Sequence, residues 1–146
     1  MKLLSIITIL TLLTTTAKCQ GFEGEWNGFF LNINSPKANP IKLQFTWNKD
    51  STYDIKSYSP GKTINGKDTT VVCNVAYLVK GYDSITLQET AILDPPNAAS
   101  SCLQIMTLKI VMRKKKAILK GTWESDECFA FGHLRLEKTI DNKLKY

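Results

Sequence analysis

The stretch Ile41-Lys42-Leu43-Gln44-Phe45-Thr46-Trp47 carries an apolar side chain at every odd position and a polar one at every even position. A period of two describes a strand with one face buried and the other wet; wound into a helix, the same residues would scatter their apolar set around the axis. The alternation recurs along most of the chain, and helical spacing is almost absent. Strands are expected over residues 25–34, 41–48, 52–59, 69–80, 84–93, 102–112, 117–123 and 128–138, separated by turn residues. The breaks are the 35–40 loop with Pro36 and Pro40, Asn48 to Ser51, Pro60-Gly61, Asp94-Pro95-Pro96-Asn97 and the 124–127 turn. Asn65-Gly66 is the strongest hairpin signal, since both residues accept the positive φ of a type I′ turn.

About eight short strands joined by short turns describe an antiparallel up-and-down meander that closes into a single barrel, so the fold class is all-β. A barrel of this size has an interior that side chains fill, or that holds one small ligand. Alternation proposes the inward set: Trp26 and Phe30; Leu43, Phe45 and Trp47; Tyr53 and Ile55; Val71, Val75 and Tyr77; Met106, Leu108 and Ile110; Leu119 and Trp123; Leu134 and Leu136. Lys42, Gln44, Thr46, Lys109, Lys120, His133, Arg135 and Glu137 take the wet face. Between Val71 and Leu78 no polar face is visible, because Val72, Ala76 and Leu78 interleave with Val71, Val75 and Tyr77; that strand is expected to be covered on both sides. Glu89 follows Ile85 and Leu87 in phase and points inward, unless Gln88 takes that place.

The start of the chain is of another kind. Lys2 precedes an apolar run from Leu3 to Leu13 that fades into threonines and then Ala17-Lys18-Cys19, the order of a signal peptide. Residues 1–19 are therefore read as an export signal, 20–138 as the barrel and 139–146 as a polar tail. The apolar run is shorter than the roughly 20 residues a membrane-spanning helix needs, so no transmembrane segment is expected. The product is secreted or extracytoplasmic, periplasmic in a Gram-negative cell; a lipid anchor on Cys19 is the minority alternative, opposed by Lys18 where the lipoprotein motif wants a small residue. Loss of Lys2 and Lys18 lowers the net charge from +6 to about +4, short of the concentrated basic face of a nucleic-acid binder. Arg113-Lys114-Lys115-Lys116, the one dense cluster, reads as a solvated hairpin tip.

Of four cysteines, Cys73, Cys102 and Cys128 lie beyond the signal. An oxidising compartment favours one disulfide, and in a meander Cys102 and Cys128 each open a strand running the same way, near one rim; Cys73 is left as a small buried apolar residue. No Cys-x-x-Cys pair occurs and the single histidine is His133, on the wet face, so neither a metal site nor a cofactor is expected. No nucleophile with an inward base can be assembled either, and the chain is read as non-enzymatic, with no catalytic residues.

Phe22-Glu23-Gly24-Glu25-Trp26-Asn27-Gly28, together with Leu119-Lys120-Gly121-Thr122-Trp123 and Gly132-His133-Leu134-Arg135-Leu136, resembles the lipocalin-like, calycin-type group of small exported β-barrels. The resemblance covers the whole mature chain in outline. It implies Gly24 and Trp26 as the first-strand motif, with Trp26 plugging one end, and Arg135 as the basic residue packing near that tryptophan. It also implies a binding fold without naming a ligand. The expected function is binding of a small apolar or amphipathic molecule in a lumen walled by Trp26, Phe30, Phe45, Trp47, Tyr53, Met106 and Trp123. The alternative is a non-enzymatic interaction or structural module of the cell envelope, with a filled core and an exported or envelope protein as partner.

Overall fold

The computed structural model describes residues 22–35, 37–80, 83–99 and 102–140. The expected export signal, Cys19 and the end of the expected polar tail lie outside them. The chain forms β1 (Gly24–Asn32), β2 (Ala38–Trp47), β3 (Tyr53–Lys62), β4 (Asp68–Lys80), β5 (Ser84–Asp94), β6 (Ile105–Arg113), β7 (Lys116–Ser125) and β8 (Ala130–Thr139). Each strand pairs antiparallel with its sequence neighbour, and β1 also pairs with β8, so the sheet closes on itself. The fold is thus a single up-and-down barrel without an open edge.

The proposed inward set faces the core. Trp26, Leu43, Phe45, Ile55, Met106, Leu108, Leu119 and Leu136 are sealed from solvent, while Phe30, Trp47, Tyr77 and Ile110 are half-buried against them. His133 and Arg135 point outward, as does the Lys114-Lys115 turn between β6 and β7. Glycine is required where strands approach too closely for a side chain: a Cβ on Gly28 would lie 1.9 Å from the Arg135 carbonyl oxygen across the β1–β8 seam.

Several expectations need correction. Pro60-Gly61 does not end β3; the strand runs on to Lys62, with Pro60 opposite Thr70. Gly61 permits this, because a Cβ there would meet Val71 Cγ2 at 2.4 Å. Asn65-Gly66 does lie in the β3–β4 turn, but only Gly66 has a positive φ, 76°. The turn closes through Gly66 N–H to the Thr63 carbonyl and Thr63 N–H to the Lys67 carbonyl, a longer loop than the two-residue type I′ connection. The outer face of β4 is not covered: Leu78 is 59 % exposed and Ala76 is also exposed, since a single closed sheet leaves its outer face to solvent unless another element lies on it.

Two register shifts interrupt β4–β5, between Val72 and Cys73 and between Asn74 and Val75. Each inserts an extra β5 residue, Leu93 at the first and Thr90 at the second, and a β-bulge of this kind breaks the alternation. Ile85, Leu87 and Glu89 therefore face in, whereas Thr90, Ala91 and Leu93 face out. Beyond Glu89, β5 and β6 part, because their ladder covers only Ser84–Gln88 against Ile105–Lys109.

Candidate functional site

The up-and-down path sends the chain termini and the β2–β3, β4–β5 and β6–β7 turns to one end, and the β1–β2, β3–β4, β5–β6 and β7–β8 connections to the other. The terminal end is shut by aromatic rings. Phe22 stacks on Phe45 with centroids 5.9 Å apart, and Tyr53 meets Phe45, Trp47 and Tyr77 edge-on at 5.8, 4.8 and 5.8 Å. Trp26 lies beneath, its indole N–H donating to the Phe22 carbonyl at 2.7 Å. Lys138 completes the plug: its ammonium sits 4.8 Å from the centre of the Trp26 ring and donates to the Glu23 carbonyl at 2.6 Å.

Lys138, not Arg135, is therefore the basic residue against Trp26. Arg135 turns away from the core and pairs with Glu137 at 2.7 Å on the outer surface. The two differ by an odd number of positions on one strand, so only one of them can share a face with Leu134 and Leu136 near the barrel axis, and at the strand's end Lys138 can bend its long stem over the rim.

The opposite end is built differently. The connection between β5 and β6 crosses it and is pinned at two points. Ala99 N–H donates to the Lys62 carbonyl at 2.7 Å and Ile64 N–H to the Asn97 carbonyl at 2.9 Å, tying it to the β3–β4 turn. The Cys102–Cys128 disulfide, with Cα atoms 5.6 Å apart, ties it to the β7–β8 turn. Both cysteines sit in these connections, outside the strands they were expected to open, but on one rim as anticipated. A cavity of about 210 Å³ lies under the connection, walled by Phe30, Val71, Ile92, Trp123 and the disulfide, with Cys73, Glu89 and Gln104 among its lining residues.

Glu89 is the chemically loaded member. Its side chain is only 4 % exposed. One carboxyl oxygen bonds the Ser57 hydroxyl at 2.5 Å and the other accepts the Gln104 backbone N–H at 3.0 Å, where β6 has left the ladder. Burial nevertheless pushes the carboxyl above the usual carboxylate range, the two hydrogen bonds working in the opposite sense. Cys73, opposite Ser57 in the β3–β4 register, is also buried; desolvation first and the Glu89 charge second push its thiol up to about 11, which disfavours the thiolate form. The side-chain oxygen of Gln104 is buried without a hydrogen-bond partner.

Of the residues expected to line a lumen, Phe30 and Trp123 stand in this cavity wall, their rings 5.2 Å apart and edge-on. Trp26, Phe45, Trp47 and Tyr53 belong to the opposite plug, and Met106 is packed in the core. The alternation flagged Glu89 as one of two inward choices, and the structure selects it over the exposed Gln88. Gln104 carried no signal: it precedes β6 and breaks no pattern.

Among the described residues no cluster of three or more His, Cys, Asp or Glu side chains is placed to hold a metal ion, and no helix is long and apolar enough to cross a membrane. The fold and site define a closed eight-stranded antiparallel barrel with one plugged end and one cavity-bearing end. Comparison of the chain with protein-family models, with curated proteins and with solved structures gives no match.

Proposed function

We propose that this chain is an exported, lipocalin-like, non-enzymatic binding protein that takes a small apolar or amphipathic molecule into the cavity under the β5–β6 connection. The observation that carries this reading is the asymmetry of the barrel: aromatic rings shut one end, while the other keeps an aromatic-walled hollow around a buried carboxyl. Stable proteins rarely retain a desolvated acid with no counter-charge beside it without a use for it. The disulfide is consistent with an extracytoplasmic setting, and the Gly24-x-Trp26 strand with a cation over its tryptophan is compatible with a lipocalin-like protein. At about 210 Å³ the cavity falls below the roughly 300–1,000 Å³ of drug-sized sites, so the ligand is about the size of one ring with a short substituent.

Native mass spectrometry of the protein recovered from exporting cells tests this. An adduct of about one ring in mass, lost in Trp123→Ala, is the expected result. Only the bare polypeptide mass, from gently handled samples, contradicts the reading.

A second reading, an interaction module for another exported or envelope protein, is favoured by one specific observation. Phe29, Leu31, Ile33 and Phe131 form an exposed apolar strip on the outer face of β1 and β8, and Phe129, 91 % exposed, stands in the adjoining turn. Contiguous apolar surface of this kind commonly marks a protein contact. Co-purification of a partner that Phe29→Ser with Phe131→Ser abolishes would select this reading over ligand binding.

A further inference from the structure

We infer that the cavity selects a small amine, its ammonium group directed to Glu89 and its apolar body lying against Phe30 and Trp123. This rests on the binding reading above and specifies its ligand class.

The chemistry of the walls decides the sign of the charge. Phe30, Val71, Ile92, Leu103, Trp123 and Ala130 give apolar or aromatic surface, and among the described residues no lysine, arginine or histidine lines the cavity. An anion entering it would meet the Glu89 carboxyl with no counter-charge at hand. A purely apolar guest would cut the Glu89 carboxyl off from water while offering it no further donor, a cost borne by the complex. An ammonium resolves both problems. A carboxylate offers about four lone-pair sites; the Ser57 hydroxyl and the Gln104 N–H use two, and the remainder accept from a third donor. The aromatic wall adds to the preference, since ring faces attract cations and repel anions.

The hydrogen bonds of Glu89 also have a structural use: they cap the β6 end where the ladder stops. A glutamine there would accept the same Gln104 N–H and fit the same space without a charge. The charge, and not the cap, is thus what distinguishes glutamate at this position.

Calorimetric titration of the purified protein at neutral pH and low salt with 2-phenylethylamine, 2-phenylethanol and 3-phenylpropanoate tests the assignment, the three probes sharing one body and differing in head group. The expected result is an amine that binds at least tenfold more tightly than the alcohol, with the acid weakest. Glu89→Gln then costs the amine at least tenfold and leaves the alcohol within twofold. A thermal transition at least as high as that of the parent protein verifies that Glu89→Gln is folded. Equal or tighter binding of the alcohol or acid, or an amine affinity indifferent to Glu89→Gln, overturns the amine assignment and leaves a binding cavity of another preference. No heat with any of the three overturns the amine assignment as well; the broader binding reading then stands or falls on the native mass of the exported protein.

Discussion

The two ends of this barrel solve the same problem with opposite chemistry. At the plugged end, Phe22, Trp26, Phe45 and Tyr53 fill the space with rings, and the polar atoms present are matched: the Trp26 indole by the Phe22 carbonyl, the Lys138 ammonium by the Glu23 carbonyl and the ring beneath it. At the other end, covalent and backbone ties hold a connection over a hollow lined by a buried acid, with an unmatched amide oxygen buried in the same region. One end is arranged for stability. The other accepts a local cost, the pattern of sites that use desolvated polar groups for binding.

The contrast is breakable. Trp26→Ala should produce the largest loss, about 4 kcal/mol, because it empties the plug and strands Lys138 above a void; urea unfolding measures it, and a loss under 1 kcal/mol would mean the ring is dispensable to that end. Opening the disulfide with Cys102→Ser and Cys128→Ser should cost about 3 kcal/mol, as expected for a loop closed across a sequence separation of 26. Its signature is regional: hydrogen exchange should quicken in residues 95–104 and stay slow at Trp26 and Phe45. Uniform quickening would make the two ends one cooperative unit.

Glu89→Gln should act in the other direction and stabilise the protein by about 1 kcal/mol at neutral pH. The sign follows from the direction of the shift. Burial raises the carboxyl pKa in the folded state, so the folded protein holds the proton more tightly than the unfolded chain does. Above the unfolded carboxyl value, stability falls as pH rises toward the folded one; below the unfolded value the charge penalty is absent. The advantage of Glu89→Gln should therefore vanish in acid and grow on neutralisation. A constant difference across the titration would show that the charge is not what costs. Smallest of all, Phe129→Asn should gain about 0.5 kcal/mol in thermal unfolding, since Phe129 is exposed and sits at φ 49°, a region asparagine tolerates better.

The plugged end was largely legible in the sequence, and the cavity end was not. Alternation depends on single residues, so it placed Trp26, Phe45 and Tyr53 inward wherever strands ran without interruption. The pairing of Cys102 with Cys128 was favoured by strand direction, which put both on one rim, although neither opens the strand expected of it. What escaped depends on events between strands. The bulges at Thr90 and Leu93 arise from the mismatch of β4 and β5, and no residue type announces them. Gln104 acquires its role only because β6 starts late, at Ile105, leaving its N–H for a side chain to satisfy. Pro60-Gly61 read as a strand end, yet Gly61 is there so that β3 can approach Val71. Arg135 matched a motif by residue type, whereas strand phase and stem length gave the contact to Lys138.

The division of the barrel into a plug and a binding end is tested most directly by amide NMR during titration with 2-phenylethylamine. The account predicts shifts concentrated at Phe30, Cys73, Glu89, Gln104 and Trp123, with Trp26, Phe45 and Tyr53 unmoved. Shifts centred on the Trp26 end, or confined to the outer strip of Phe29, Leu31 and Phe131, would contradict it.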